Sequence, residues 1–395
     1  MLTNCINRMP MRDKQSDNLI SLDCMDGPRH DEIRLALSQG VGPRTMNLLF
    51  EQLGTASTIL STSHQRLSAI PGIGPGLIKS ISNASTQVPL GAILAWCEQN
   101  SVELLLHGDA DYPYLLGEIE DAPRLLFCRG QFQRDDQNAV AIVGTRRPTP
   151  YGLQQAMRFA SELANAGITV VSGLARGVDG AAHKACIKSG GRTIAVLGSG
   201  LGVIYPPEHR ILADQIANQG VVVSEYSPHS KPQRGMFPQR NRLISGLASA
   251  TLVIEAPERS GSLITTRLAM EQNREVMAVP GPVSSPLSRG CNKLISDGAK
   301  LVQSVDDILE ELQPLTGFEN HETEPLSDLD HPSFLNESER KIYEAVAPDG
   351  SLIDEIIQRT RYASHEVIAA VNLLELRHVL IRSDHQKIYR STTPP

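Results

Sequence analysis

The fold is decided by the stretch Val140-Ala141-Ile142-Val143-Gly144-Thr145-Arg146-Arg147-Pro148, in which four apolar residues lead directly into a glycine turn. A short apolar run of this kind is typical of a strand that is buried on both faces of a sheet. The same pattern recurs along residues 105–312, with helical spacing between the runs. This alternation predicts an α/β fold whose sheet is mostly parallel and covered by helices on both faces.

Six such runs are present, enough for a doubly wound, Rossmann-like sheet. We place the strands near residues 140–143, 169–172, 193–197, 221–224, 251–255 and 276–279. In this architecture ligands bind beyond the carboxyl ends of the strands. The polar, glycine-rich turns of this chain fall at those ends, so we expect the functional site there.

The residues before the sheet are predicted to form two segments. Residues 1–27 are polar and unpatterned, which indicates a disordered tail. Residues 28–104 have helical spacing, interrupted at Gly40-Val41-Gly42-Pro43 and at Gly72-Ile73-Gly74-Pro75. Such turns resemble the helix-hairpin-helix of SAM-like domains, in which backbone amides face a DNA phosphate, and the second turn is the better match. Two tight connections without a ligand explain them equally well.

The residues after the sheet are predicted to form two more segments. Residues 313–332 are acidic and contain prolines, which is typical of a solvated linker. Residues 333–392 contain three helical patterns and two extended runs, which favours a winged helix. Its predicted recognition helix carries only His365 and Arg377 as cations. These are few for a protein that reads a duplex, so we interpret this segment as an accessory element.

The charge of the chain is segregated. The net charge is −7, but residues 301–339 contain eleven acids and no Lys or Arg, so the remainder carries +4. Residues 137–161 and 226–254 contain no acid at all and hold seven cations. A local electropositive surface is therefore possible on an acidic protein.

Several classes of protein and site are disfavoured. The six cysteines are scattered without metal-ligand spacing, which suits a reducing compartment and argues against structural zinc. The chain lacks a secretory signal and any apolar run long enough for a bilayer, so we expect a soluble, cytoplasmic protein. The dinucleotide and P-loop fingerprints are also absent, and we expect no cofactor.

The strongest candidate site is the stretch Lys231-Pro232-Gln233-Arg234-Gly235-Met236-Phe237-Pro238-Gln239-Arg240-Asn241-Arg242, interpreted as a basic loop. It offers four cations for phosphates, one aromatic face for a base, and an amide for a base edge. Proteins that bind single strands use this mixture, because stacking contributes ~1–3 kcal/mol per base and cations add a salt-sensitive part. The alternative is structural: Phe237 anchors the loop, and Arg240 and Arg242 pair with carboxylates such as Glu225 and Glu255.

Two strand-end turns offer further anion contacts. At Gly144 the backbone admits a close approach, and Arg146 can donate two hydrogen bonds to a phosphate. At Gly261, Ser262 and Thr265, backbone amides and hydroxyls at a helix start form a plausible anion cradle, although helix capping alone explains these residue types.

Asp179 and His183 are four residues apart and share a helix face, as an acid/base pair would. The structural interpretation, with Asp179 at a helix start and His183 as its ordinary neighbour, is favoured, because no clear nucleophile accompanies them.

Taken together, these segments resemble the DNA-processing protein A family, also called Smf, over nearly all of residues 105–312. The resemblance rests on motifs in a fixed order, among them Gly144-Thr145-Arg146, Ser172-Gly173-Leu174-Ala175, Tyr205-Pro206, Phe237-Pro238, Arg240-Asn241-Arg242, Ser260-Gly261-Ser262-Leu263 and Val279-Pro280-Gly281. A minor departure is Pro207, where some members have a basic residue.

The resemblance implies a non-catalytic homodimer, paired through its Rossmann-like domain, that binds and protects single-stranded DNA during natural transformation. It also implies that the protein helps to load the RecA recombinase on that DNA. By position, the family's pocket maps to Arg146, Arg234, Phe237, Arg240, Gly261 and Ser262. With Gly144, Asn241 and Arg242 from the motifs above, these residues make up the predicted DNA-binding site.

An enzyme is the alternative. Lysine-decarboxylase-like nucleotide phosphoribohydrolases share a similar Rossmann core and a glycine-rich turn, and use a Glu on the N-glycosidic bond. Here the helix after Gly261 has no acid before Glu271. The expected carboxylate is therefore missing, and the binding protein is favoured.

Overall fold

A computed structural model describes residues 27–316, 337–347, 351–376, 379–382 and 387–390. The chain forms two compact units, residues 1–317 and 318–395. The predicted disordered tail, apart from its last residue, and residues 317–332 of the predicted linker lie outside the described residues. No helix within the described ranges is both long enough and apolar enough to cross a membrane.

The first unit is built on a nine-stranded sheet. Its strands are β1 (Val102–Leu106), β2 (Leu125–Gly130), β3 (Ala139–Val143), β4 (Thr169–Ser172), β5 (Thr193–Val196), β6 (Val221–Ser224), β7 (Ala250–Val253), β8 (Glu275–Ala278) and β9 (Lys300–Leu301). Their order across the sheet is β1-β2-β6-β5-β4-β3-β7-β8-β9. All neighbours from β6 to β9 are parallel, whereas β2 is antiparallel to both β1 and β6. The doubly wound, mostly parallel α/β fold is confirmed.

Helices precede and cover this sheet. They are α1 (Pro28–Ala36), α2 (Pro43–Leu53), α3 (Ala56–Ser61), α4 (His64–Ser68), α5 (Pro75–Ser82), α6 (Ala84–Gln87), α7 (Leu90–Gln99), α8 (Tyr114–Gly117), α9 (Pro150–Asn165), α10 (Val178–Lys188), α11 (Arg210–Gln219), α12 (Met236–Gly246), α13 (Ser262–Glu271), α14 (Arg289–Ser296) and α15 (Val305–Thr316). The predicted boundary between residues 104 and 105 falls inside β1, and α15 extends into the predicted linker. The division of this unit into a helical and a Rossmann-like domain stays a prediction.

Strand β3 shows why the sheet is covered twice. Every residue of β3 is buried. Ala141 and Val143 pack in one core, which includes Leu243 of α12, while Val140 and Ile142 pack in another, which includes Phe159 of α9. The side chains on both faces of β3 are buried from water, so each face needs an apolar helix packed against it.

The strand order places a topological switch at β3 and β7. From β3 the chain continues to β4 on one side, while β7 and β8 lie on the other. The turns that follow β3 and β7 are joined by a 2.7 Å hydrogen bond from Thr145 N to Glu255 O. Helices α12 and α13 begin beside these turns. A crevice at such a switch is where doubly wound sheets bind ligands.

The described residues of the second unit form three helices and two antiparallel strands. These are α16 (Glu337–Ala345), α17 (Ile353–Thr360), α18 (Ser364–Leu376), β10 (Leu380–Arg382) and β11 (Ile388–Arg390). Ile342, Ile356 and Val371 are among its buried core residues. That this unit is a winged helix stays a prediction, and Arg377 of its predicted recognition helix lies outside the described residues.

Candidate nucleic-acid interface

A cavity of about 630 Å³ opens at the switch between β3 and β7. We call it the switch-point basin. Its walls are the turns after these two strands, the segment that leads into α12, and the start of α13. Eight of the nine predicted site residues line it, namely Gly144, Arg146, Arg234, Phe237, Arg240, Asn241, Gly261 and Ser262. Arg242 lines a different cavity.

The aromatic surface of the basin is the ring of Phe237. This ring is half-buried, and its centroid lies 5.7 Å from that of Tyr205. The guanidinium carbon of Arg146 lies 5.3 Å from the same centroid, within the range of a cation–π contact. A Cβ at Gly198 would come within 2.8 Å of the Phe237 ring, so a glycine is needed there to seat it. The ring is thus held in place while part of it remains open to a ligand.

Three exposed arginines line the basin together with this ring: Arg146, Arg234 and Arg259. Within the described residues, no carboxylate lies within 4.0 Å of any of their guanidinium groups. The one acid in the described lining is Asp179, which is 7% exposed. The lining therefore carries a net positive charge that protein carboxylates do not neutralise.

Arg240 lines the basin but is buried in a helix, whereas the sequence predicts an exposed loop. Residues 236–246 form a helix rather than a loop, and Arg240 shares its inner face with Leu243 and Ile244. Its side chain is only 3% exposed, and Nη1 donates hydrogen bonds to Gly173 O at 2.7 Å and to Val196 O. Burial lowers its pKa to about 10, so it stays charged at neutral pH. Arg240 joins the ends of β4 and β5 beneath the basin.

Asn241 and Arg242 hold elements together. Asn241 Nδ2 donates to Gly261 O at 3.3 Å, which links α12 to the start of α13. Arg242 is buried and hydrogen-bonds to Glu225, with Asp121 Oδ2 at 3.5 Å from its Nε. The pairing of Arg242 with Glu225 is the structural alternative raised from the sequence.

Glu255 pairs with Thr149 instead of an arginine. Its two oxygens accept hydrogen bonds from Thr149 N at 2.9 Å and from Thr149 Oγ1 at 2.7 Å. The carboxylate is also only 2% exposed. It is therefore committed to fixing the start of α9, which leaves it poorly placed for work on a glycosidic bond.

The two predicted glycines differ in what requires them. A Cβ at Gly144 would lie 2.6 Å from Val178 Cγ2 and 3.1 Å from Glu255 O. A Cβ at Gly261 would meet nothing within 4 Å. Glycine at 144 is therefore required by internal packing, whereas the backbone at 261 faces open space in the basin.

The start of α13 offers fewer free amides than the sequence suggests. Ser262 N, Leu263 N and Ile264 N already donate hydrogen bonds of 3.2–3.3 Å within the turn 260–264. The hydroxyls of Ser260 and Ser262 pair with each other at 2.7 Å, and Thr265 is 2% exposed. What this end presents to an anion is the hydroxyl pair and the positive end of the helix dipole.

Asp179 and His183 have separate structural roles. His183 is fully buried, and its Nδ1 lies 2.7 Å from Thr193 Oγ1, which itself donates to Val170 O. Burial lowers the pKa of His183 to about 3, so the ring is neutral. Asp179 accepts a hydrogen bond from Ala175 N, and burial raises its pKa. This geometry supports the structural interpretation of the pair.

Sequence reasoning did not assign Tyr205 and Arg259 to the site. Tyr205 lies on the segment after β5, far along the chain from Phe237, and only the fold brings the two rings together. Arg259 precedes the predicted anion cradle at Gly261, Ser262 and Thr265. Its neighbour Glu258 cancels its charge in the sequence, so the local sequence shows no excess of positive charge. Its position two residues before Gly261 is the signal that could have identified it.

A family sequence model, related sequences and a solved structure all match this chain to one protein family. The sequence model of the family described as DNA recombination-mediator protein A matches residues 103–313. Protein Smf of Synechocystis sp. is 34% identical over 374 residues, which cover 87% of this chain and 94% of that protein. DNA processing protein DprA of Bacillus subtilis is 43% identical over 224 residues, 56% of this chain and 75% of that protein. The X-ray structure of DprA from Streptococcus pneumoniae superposes with a TM-score of 0.63 at 37% identity, covering 71% of this chain and 97% of that one.

Proposed function

This chain belongs to the DNA recombination-mediator protein A family, and from that premise we propose that it binds and protects single-stranded DNA in the switch-point basin. We also propose that it acts in the cytoplasm during natural transformation, helps to load RecA on the strand, and catalyses no reaction itself. The observation that carries the proposal is a single cavity lined by three exposed arginines without carboxylate partners and by the half-buried ring of Phe237.

The chemistry of the basin suits an unpaired strand. A base in a duplex has its faces covered by its neighbours, whereas a base in a single strand can stack on an exposed ring. The planar guanidinium groups of the arginines match the geometry of phosphate oxygens. Stacking and phosphate contacts together bind a strand without reading its sequence, as expected of a protein that accepts any incoming DNA.

The direct test is fluorescence anisotropy with a labelled oligothymidylate. Arg146→Ala and Arg234→Ala should each weaken binding and lower the slope of log K against log salt by about 0.7, the value for one phosphate contact on a single strand. Arg147→Ala is the matched control, because Arg147 is exposed and adjacent in sequence but does not line the basin. Equal losses for Arg146→Ala and Arg147→Ala would place the binding elsewhere.

The partner proposals need separate measurements. A homodimer paired through the sheet-containing unit would bring two basins onto one strand, and sedimentation at working concentrations would detect it. Loading is tested by following RecA assembly on DNA covered by single-strand-binding protein, with and without this protein. Assembly that is no faster in its presence would remove RecA loading from the proposal and leave strand binding intact.

A further inference from the structure

A second cavity of about 750 Å³ lies in the same unit, on the other side of α12. One wall is the turn Gly40-Val41-Gly42-Pro43-Arg44, which leads into α2. The opposite wall includes Arg124, Gln239 and Arg242, with Glu225 beside them. The proposed DNA-binding mode uses none of these groups.

The start of α2 is open to an anion. This helix has eleven residues, and its N-cap, Gly42, makes no side-chain capping hydrogen bond. Among the described residues, the amides of Arg44 and Thr45 have no hydrogen-bond acceptor. Free amides at the positive end of a helix dipole are a general anion site.

Arg242 supplies an independent sign of a ligand. Its side chain is buried, with 6% of the residue exposed, and it lines this cavity. Other nitrogens of its guanidinium group contact Glu225 and Asp121, but Nη1 has no partner among the described residues. A buried donor without an acceptor is rare in folded proteins, so Arg242 has one hydrogen-bonding position left for an anionic ligand of the cavity that it lines.

Two more arginines raise the positive charge of the cavity. Arg124 is held in place by Asn47 Oδ1 at 2.9 Å and lies 4.7 Å from the ring centroid of Phe50. The side chain of Arg44 is 78% exposed, and its nearest acid, Glu120, is 3.9 Å away. Against these three arginines the lining has two acids, Asp121 and Glu225, and both contact Arg242. Arg124 therefore remains for a ligand, and among the described residues the only acid near Arg44 is Glu120, in a long, solvent-exposed ion pair that contributes little and that a ligand can displace.

The two cavities flank one helix. Pro238 and Asn241 line the switch-point basin, whereas Gln239 and Arg242 line the second cavity. An α-helix with its side chains is about 10–12 Å across. The residues that line the two cavities therefore alternate along the first two turns of α12.

We propose that the second cavity binds a phosphodiester group of the same DNA strand, so that the bound path runs from the switch-point basin across α12 to the start of α2. This inference rests on the proposed function. It also assigns DNA contact to the first of the two Gly-x-Gly turns, although the second is the better sequence match to a helix-hairpin-helix.

The test compares labelled oligothymidylates of two lengths, two and fifteen nucleotides, on the full chain. Arg44→Ala should weaken the fifteen-mer about three- to tenfold and lower its salt slope by about 0.7, while the dinucleotide, which is too short to leave the basin and cross α12, is unaffected. Arg66→Ala is the matched control, an exposed cation on α4 of the same helical region that is not part of the cavity. Thermal melting of both variants establishes that they fold.

Each outcome has one meaning. If Arg44→Ala weakens both lengths equally, or no more than Arg66→Ala does, the second site is wrong. If Arg44→Ala instead lowers the affinity for thymidine monophosphate and leaves the fifteen-mer unchanged, the cavity takes free nucleotides and the strand path is wrong. If the unaltered protein binds neither oligonucleotide, the proposed function itself fails.

Discussion

One turn of α12 separates the half-open ring of Phe237 from the buried guanidinium of Arg240, and the two side chains serve different purposes. Phe237 lies against Tyr205 and Arg146 at the surface of the basin. Arg240 bonds two strand-end carbonyls below it. We therefore expect a substitution of Phe237 to change mainly the affinity for DNA, and a substitution of Arg240 to change mainly the stability of the fold.

Phe237→Ala should remove a stacking surface without removing a charge. We expect the binding free energy to weaken by ~1–3 kcal/mol, as for one lost base stack, with an unchanged salt slope. Anisotropy titrations at several salt concentrations measure both quantities. A reduced slope would mean that the ring acts through Arg146 rather than through a base.

Arg240→Ala should act on the fold. It removes charged hydrogen bonds from two buried carbonyls and leaves a void, so we expect a loss of ~2–4 kcal/mol in the free energy of unfolding. Urea denaturation measures this loss, and Arg146→Ala is the exposed comparison, with stability near that of the unaltered chain. A fully stable Arg240→Ala protein with weak DNA binding would restore Arg240 as a direct contact.

At the level of helices and strands, the sequence predicts a strand most accurately where an apolar run is followed by a turn. All six predicted strands are present, with shifts of one or two residues at some ends. The sequence pattern does not predict β1 and β2, because they pair antiparallel at one edge of the sheet and do not alternate with helices as the parallel strands do. It does not predict β9 because that strand has only two residues.

The sequence predicts which residues line the candidate site better than it predicts which of them are exposed. The acid-free stretch through Arg240 reads as a loop, and a loop would expose its cations. As a helix, this stretch buries Arg240 and every residue from Arg242 to Gly246. Arg240 therefore lies on the packed side of the helix, while Arg234, which precedes the helix, stays exposed.

Replacing glycine by alanine should change the stability of the fold at the turn after β3 but not at the turn after β7. Gly144→Ala places a Cβ against Val178 and Glu255 O, so we expect ~1–3 kcal/mol of destabilisation by overpacking. Gly261→Ala meets open space, so it should leave stability unchanged and weaken DNA binding by crowding the basin. Melting and anisotropy of the pair check this, and similar stability losses in both would contradict it.

At the scale of the whole molecule, an acidic chain carries a basic site. The net charge is −7, yet the described lining of the basin holds four arginines and one acid. Every residue of that lining belongs to the first compact unit. The second unit, residues 318–395, is therefore not needed to form the basin.

Removal of residues 318–395 should leave the affinity for single strands unchanged, because the basin remains complete. It should also abolish any weak duplex binding that the second unit contributes. Titration of the shortened chain with both forms of DNA measures these effects. A large loss of single-strand affinity would show that the second unit contributes to the site.

A competition on the full chain, in which unlabelled single-stranded or duplex DNA of one sequence displaces a labelled single strand, tests whether the switch-point basin prefers unpaired bases. We expect the single strand to compete at least about tenfold better, since stacking on Phe237 requires an uncovered base. We also expect Phe237→Ala to narrow this preference. Equal competition by the two forms, or a preference that Phe237→Ala leaves intact, would contradict the assignment of the switch-point basin to single-stranded DNA.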